Sequence, residues 1–157
     1  GVHAIAPRLA WTDFDDLPPR LLYGVMALRQ RIFVVEQTCA YADLDGRDAD
    51  ARHLVALTDD DLRPAGCLRL FAPEKAEAAG AARLGRIVVS PDHRKTGLGP
   101  ALIREGLAEA ARLYAPASVV ISAQAALAGY YAGFGFKVEG AIYDEDGIPH
   151  VTMRAEV

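Results

Sequence analysis

The chain has 157 residues, a formal net charge of −4 at pH 7, and 52% apolar against 24% charged residues. This length is expected to form one domain, residues 1–157, with a substantial core, and the composition argues against disorder. The acidic balance, without a basic stripe, argues against nucleic acid as a partner. No apolar run approaches the ~20 residues of a membrane span and no signal peptide is visible. We therefore expect a cytoplasmic protein that does not bind membranes.

The chain has two cysteines, Cys39 and Cys67. They lack the Cys-x-x-Cys spacing of zinc sites, so we expect neither a disulfide framework nor a metal site. We interpret both as reduced, structural residues.

Hydrophobic periodicity and turn residues predict an alternation of strands and helices. Acids at 15 and 16 followed by Pro18 and Pro19 are typical of a helix start. Residues 43–51 predict a loop or short irregular helix, and 74–82 a loop or helical turn. In chain order the predicted elements are a strand over 4–11, a helix with apolar residues from Leu21 to Ile32, strands over 53–58, 65–71 and 83–90, a helix with apolar residues from Ala101 to Leu113, a strand over 118–122, a short helix over 125–133, a strand over 136–143, a turn over 144–147 and a strand over 150–155.

The element order defines the expected fold class. Strand–helix–strand units in the second half require a parallel pair at the centre of the sheet, whereas the hairpins give antiparallel pairing. We predict an α/β single domain with a mixed, mostly antiparallel sheet flanked by helices.

The most informative stretch runs from residue 86 to 103, where a β-branched strand, a polar turn, two glycines and a helix start follow one another. A helix N-terminus binds anions through its unpaired N–H groups. Gly97 and Gly99 let several N–H groups converge on one phosphate, and Arg94 and Lys95 add positive charge. Neither the P-loop motif nor the three-glycine dinucleotide fingerprint occurs. The stretch predicts a pyrophosphate site; the alternative is a capped turn without a ligand.

A second motif, Tyr130-Tyr131-Ala-Gly-Phe-Gly-Phe136, ends a short helix and begins an aromatic strand. It is compatible with a helix C-cap that packs Phe134 and Phe136 in the core. It is also compatible with a tyrosine that donates a proton in a cleft. A phenol of pKa ~10 suits a thiolate leaving group, because the two acids are of similar strength.

Together, Arg94-x-x-Gly97-x-Gly99 after a β-branched strand and Tyr131-x-x-x-Gly135-Phe136 resemble the GNAT superfamily of acyl-CoA-dependent N-acetyltransferases. Further motifs, spread from the first helix to the last strand, resemble its small bacterial ElaA-like branch. These motifs are Leu28-Arg29, Phe33-Val-Val-Glu-Gln37, Tyr41-x-Asp43-x-Asp45-Gly46, Arg52-His53, Gly85-Arg86-Ile-Val-Val-Ser90, Ala123-Gln-Ala125 and Asp146-Gly-Ile-Pro-His150.

The resemblance implies acetyl-CoA as donor, a GNAT fold, and direct attack by an amine within one ternary complex. Tyr131 would protonate the departing thiolate, and the N–H of Ile87 would bind the acetyl oxygen. Pro100 lacks an N–H, which removes one phosphate donor that Arg94 and Lys95 can replace. The pantetheine arm would lie along Ile87, Val88 and Val89, and the pyrophosphate on Arg94, Lys95, Thr96, Gly97, Leu98 and Gly99.

The acceptor is expected to be a primary amine on a small molecule or peptide. The candidates for the base that deprotonates this amine are Glu36, Asp43, Glu145, His150 or a water chain that ends at one of them. Glu36 is favoured because it follows the first helix, and this region forms acceptor sites in the superfamily. His150 is equally compatible with a structural role.

The charges on the acceptor side point in opposite directions. Arg29 and Arg86 favour a substrate with a carboxylate if they face the cleft. The acidic Asp43-x-Asp45 loop favours a cationic amine instead. A catalytically silent acyl-CoA-binding domain and a nucleotide-phosphate binder are the alternative functions, and a homodimer is compatible with the resemblance.

Overall fold

The computed structural model describes residues 6–157 and contains one seven-stranded sheet with three α-helices. Residues 4 and 5 of the predicted first strand lie outside the described residues. The strands are β1 Arg8–Asp13, β2 Arg52–Leu57, β3 Gly66–Phe71, β4 Ala82–Val89, β5 Val119–Gln124, β6 Lys137–Glu145 and β7 Ile148–Ala155, and the helices are α1 Pro19–Arg29, α2 Leu98–Tyr114 and α3 Ala128–Ala132.

The strands are ordered β1-β2-β3-β4-β5-β7-β6 across the sheet. β4 and β5 run parallel and are connected by α2, whereas the other neighbouring strands are antiparallel. This arrangement confirms the mixed-sheet α/β fold predicted from the element order.

The parallel pair opens at the centre of the sheet. The register between β4 and β5 consists of Ala82↔Val119 and Arg83↔Val120. Beyond these pairs β4 continues along β3, and β5 continues along β7. The two strands therefore diverge and leave a V-shaped gap between them.

Both faces of the sheet are covered, because successive strand residues point to opposite faces. Leu68 on β3 lies in the core under α2, while its neighbour Cys67 lies in the core under α1. Burial of each large apolar side chain contributes roughly 1.5–3 kcal/mol. The α2 core includes Leu54, Leu84, Leu102 and Ile103, and the α1 core includes Leu21, Val25, Leu28, Val55 and Val88.

A β-bulge interrupts β4 where it borders the gap. Cys67 pairs with Val88, but Arg69 pairs with Gly85, so β4 contains one residue more than β3 between these pairs. Arg86, within this segment, has a φ of 49°. A bulge bends its strand and leaves one residue outside the ladder, which places irregular backbone at the centre of the sheet.

Beyond α1 the predicted first helix continues as a π-helical segment, Gln30–Glu36, which includes Ile32. One predicted boundary was wrong. The last turn comprises only residues 146 and 147, since β6 reaches Glu145 and β7 begins at Ile148. Asp146 and Gly147 have φ values of 53° and 82°, as the central residues of a type I′ hairpin turn require.

Within residues 6–157, no helix is long and apolar enough to span a membrane. Over the same range, no group of three or more His, Cys, Asp or Glu side chains is placed to hold a metal ion.

Candidate active site

The gap between β4 and β5 is a cleft of about 550 Å³. Its walls are the splayed parts of the two strands, and Tyr131 of α3 lies against them. Further walls come from the segment after α1, with Phe33, Cys39 and Tyr41, from β3, with Arg69, and from the β6–β7 hairpin, with Glu145 and His150. The cleft therefore combines a strand edge with polar side chains from distant parts of the chain.

The strand edge on the β4 side is free of β5 after the two pairs at its start. Gly85, Arg86 and Ile87 line the cleft at this edge. Because β5 does not pair with this part of β4, backbone groups on the cleft side can pair with a bound molecule. Ile87, the predicted donor to an acyl oxygen, belongs to this segment.

The predicted anion site lies at the far end of β4. A 3₁₀ turn, Pro91–His93, and a tight turn over residues 94–97 lead into α2, which begins at Leu98. Gly97 has a φ of 85°, and a Cβ there would meet nothing within 4 Å. Pro100 lies in the first turn of α2, where N–H groups have no helical partner, so its missing N–H costs the helix no hydrogen bond.

An ion pair connects this turn to the first helix. Arg94 pairs with Glu36, which ends the π-helical segment, and both side chains are partly exposed. Glu36 is not among the cleft-lining residues in the described part of the chain. Glu36, the base favoured from the sequence, therefore lies at the predicted anion site, and the structure does not bring it together with Tyr131.

The two adjacent tyrosines lie in different surroundings. Tyr131 lines the cleft and packs edge-on against Phe136, with ring centroids 6.1 Å apart. Burial raises the pKa of the Tyr131 phenol, and Tyr130 adds to the rise, so the hydroxyl keeps its proton at neutral pH. Tyr130 instead faces the start of α2, where its hydroxyl would lie 3.5 Å from a Cβ placed on Gly99.

Arg29 is at the centre of a buried ion network, with only 1% of its surface exposed. Its Nε lies 3.0 Å from Oδ2 of Asp43, and its Nη1 lies 2.6 Å from Oδ1 of Asp48. Burial raises the pKa of Asp48, but hydrogen bonds and charge from Arg29 and Arg69 outweigh that effect and lower it overall. His53 donates from Nε2 to the carbonyl of Asp48, and burial lowers the pKa of His53, which keeps it neutral.

The same network extends to the cleft. Arg69 contacts Asp45 at 2.6 Å and Asp48 at 3.0 Å, and its hydrogen bond lowers the pKa of Asp45 well below the usual range. Arg86 contacts Asp43 at 2.7 Å. The arginines that favoured an anionic substrate and the acids that favoured a cationic one thus neutralise each other. Their charges do not specify the acceptor.

The β6–β7 hairpin places a second polar group in the cleft. Nε2 of His150 lies 3.1 Å from Oε2 of Glu145, and Nδ1 lies 2.7 Å from the carbonyl oxygen of Ile148. The Tyr143 ring stacks on the imidazole, and its hydroxyl hydrogen-bonds Ser122 of β5. The two-residue turn puts residues 143, 145, 148 and 150 on one face of the hairpin, a relationship that a longer predicted turn obscured.

The cysteines differ in environment. Burial raises the pKa of the Cys67 thiol to about 12, which makes it a structural residue. Cys39 lines the cleft, where its Sγ lies 3.5 Å from the carbonyl oxygen of Asp146. Both are free thiols in the described range of the chain.

Residues 29–157 match the family model described as an acetyltransferase (GNAT) domain. The chain therefore belongs to the GNAT acetyltransferase family, as its two motifs predicted.

Relatives of known name support the finer resemblance. The chain is 35% identical to Protein ElaA of Escherichia coli over 153 residues, which cover 95% of this chain and 97% of that protein. The crystal structure of Escherichia coli ElaA matches with a TM-score of 0.85 at 30% identity, over 96% of this chain and 99% of that one. A crystal structure of an acyl-CoA N-acyltransferase from Pseudomonas aeruginosa matches with a TM-score of 0.87 at 39% identity, over 94% and 99% of the two chains. The predicted fold and the resemblance to ElaA are confirmed.

Proposed function

We propose that this protein transfers the acetyl group of acetyl-CoA to a primary amine by direct attack in a ternary complex. The observation that carries the proposal is the continuity of β4, which joins the glycine turn at residues 94–99 to the open cleft that contains Tyr131. An elongated donor with a phosphate at one end and a thioester at the other fits this path.

Donor binding follows from the backbone. N–H groups of the turn and of the α2 N-terminus bind the pyrophosphate, with Arg94 and Lys95 adding charge. The pantetheine arm has amide groups, and the unpaired edge of β4 along Ile87, Val88 and Val89 offers them hydrogen bonds like those of an added strand. This places the thioester beside the bulge.

The acyl transfer step then uses two groups of the chain. The N–H of Ile87 stabilises the oxyanion that develops as the amine nitrogen bonds to the thioester carbon. The carbon–sulfur bond breaks, and the Tyr131 hydroxyl gives its proton to the leaving thiolate. Because the raised pKa of Tyr131 keeps the phenol protonated at neutral pH, the hydroxyl has a proton to donate to the thiolate.

The direct test measures thiol release from acetyl-CoA with amino acids, polyamines, aminoglycosides and peptide N-termini, beside calorimetry of CoA binding. Release that depends on an amine supports the proposal. Binding of CoA without release by any amine would favour a silent acyl-CoA-binding domain. Stabilisation by a nucleoside triphosphate, without binding of CoA, would favour a nucleotide binder.

A further inference from the structure

We infer that Glu145 and His150 together receive the proton of the acceptor ammonium. The inference rests on the proposed acetyl transfer and assigns its base. Of the four side chains that the sequence offered, these two line the cleft with Tyr131. The other two are engaged elsewhere, Glu36 by Arg94 and Asp43 by Arg29 and Arg86.

The hydrogen bonds of His150 determine where its protons lie. Nδ1 is 2.7 Å from the carbonyl oxygen of Ile148, and since a carbonyl only accepts, Nδ1 carries a hydrogen. In neutral imidazole Nε2 is then a bare acceptor, yet it faces the carboxylate of Glu145 at 3.1 Å. Two acceptors at this distance repel each other unless a proton lies between them. The contact therefore provides a place where one proton is shared between Nε2 of His150 and the carboxylate of Glu145.

The positions of the two side chains suit a proton acceptor at the edge of a cleft. The Glu145 side chain is about half exposed, while His150 is 8% exposed behind it. Stacking by Tyr143 and the hydrogen bond between the Tyr143 and Ser122 hydroxyls hold this face of the hairpin against β5. The carboxylate can thus meet an ammonium in the cleft, and the imidazole shares the proton from the protected side.

The protons of the reaction balance with this assignment. The acceptor nitrogen loses two protons as an ammonium becomes an amide. The first goes to the Glu145–His150 pair and from its exposed carboxylate to water. The second leaves the nitrogen after the carbon–nitrogen bond forms and restores the one that Tyr131 gives to the thiolate.

Other titratable or charged groups share the cleft wall and bear on any pH profile. They are Asp146 of the hairpin, Cys39 and Tyr41 after α1, Asp45, Arg47, Arg69 and Glu77 from the loops and β3, Arg83 and Arg86 of β4, and Tyr131 of α3. Tyr143 stacks on His150 from the same hairpin. Gln124, opposite His150 in the register of β5 with β7, is polar but does not titrate.

The test compares Glu145→Gln with Glu139→Gln. Glu139 lies on the same strand, is equally exposed, and pairs with Arg154 of β7 as Glu145 pairs with His150. We expect Glu145→Gln to lower kcat/KM for the amine about a hundredfold at pH 7, with unchanged CoA binding by calorimetry. The loss should shrink as pH rises, because a free amine no longer needs a base. Equal kcat/KM and pH profiles for the two variants would overturn the inference, as would the pH-dependent loss appearing in Glu36→Gln instead.

A second measurement does not depend on turnover. Nitrogen NMR of the His150 ring in the free protein should show Nδ1 protonated throughout and, on acidification, a proton at Nε2 whose chemical shift changes in Glu145→Gln, because an amide oxygen then replaces the carboxylate that accepts it. The inference would be overturned if the neutral His150 ring carried its proton on Nε2 alone. It would also be overturned if the nitrogen signals of the ring were the same in Glu145→Gln as in the native chain. If no amine releases CoA, the proposed function fails while this readout still decides whether the pair holds a proton.

Discussion

The Nε of Arg86 lies 2.7 Å from Oδ1 of Asp43, and this contact ties the bulge of β4 to the buried ion network. Arg86 also donates from Nη2 to the backbone carbonyl of Asp43 at 3.0 Å. A non-glycine residue at φ 49° is unfavourable unless its surroundings hold it there, and Asp43 supplies that restraint. The acceptor-side loop thus supports the backbone that is proposed to bind the acyl oxygen.

Two substitutions of Arg86 separate the effect of its backbone strain on stability from the effect of its ion pair with Asp43. Arg86→Ala and Arg86→Gly both remove the ion pair with Asp43, but glycine accepts the positive φ without steric cost. We expect Arg86→Gly to be the more stable by about 1 kcal/mol in urea denaturation. Equal stability of the two variants would contradict a strained Arg86.

Tyr131→Phe should lower turnover about ten- to a thousandfold and leave CoA affinity nearly unchanged, because only the proton donor is lost. Tyr130→Phe is the matched control, since it removes the neighbouring hydroxyl, which faces Gly99. Steady-state kinetics with calorimetry of CoA binding measures both effects. A loss of turnover in Tyr130→Phe alone would show that Tyr130 is the proton donor. A loss of CoA affinity in Tyr131→Phe would show that Tyr131 has a structural role.

Gly97→Asp should weaken CoA binding, because it adds a negative charge beside the phosphates at a position with positive φ. Gly140→Asp is the matched control: Gly140 has a φ of 87°, and a Cβ there also meets nothing within 4 Å. Both variants carry similar backbone strain, so the difference in their Kd for CoA isolates the effect at the turn. Similar Kd values would place the phosphates elsewhere.

The ion network should make the fold sensitive to acid. The folded state lowers the pKa of Asp48, so its stabilisation is present above the unfolded value of about 3.9 and is lost as pH falls towards the lower folded value. Asp48→Asn should cost roughly 3–5 kcal/mol at pH 7, since Arg29 and Arg69 lose a buried partner.

Between pH 5 and pH 2 the free energy of unfolding of Asp48→Asn should fall less steeply than that of the native chain. Chemical denaturation across this range measures the slope, with the exposed loop variant Asp59→Asn as control. Parallel slopes for the native chain and Asp48→Asn would show that Asp48 is not held ionised by the fold.

The sequence predicted the elements well because periodicity and turn residues are local signals. The strand before Ser90, the glycine turn and the helix after it appear as expected. The bulge at Arg86 was not predicted, because it arises from the register between β3 and β4. Its one local signal is Gly85, since a glycine inside a strand pattern is typical of a bulge.

Like the bulge, most side-chain contacts of the site form only when distant parts of the chain meet in the folded protein. Arg29 and Asp43 are 14 residues apart, separated by the π-helical segment and a loop, and nothing in their spacing brings them into contact. Glu145 and His150 were within reach of sequence reasoning, because Asp146-Gly147 is a preferred two-residue hairpin turn and fixes which side chains share a face.

Amine-dependent release of CoA from acetyl-CoA, measured for the native chain and Tyr131→Phe with each amine class, tests the central claim most directly. The proposal predicts that at least one primary amine releases CoA and becomes acetylated, and that Tyr131→Phe loses most of this rate while still binding CoA. Tight binding of CoA with no release by any amine would contradict acetyl transfer by this protein.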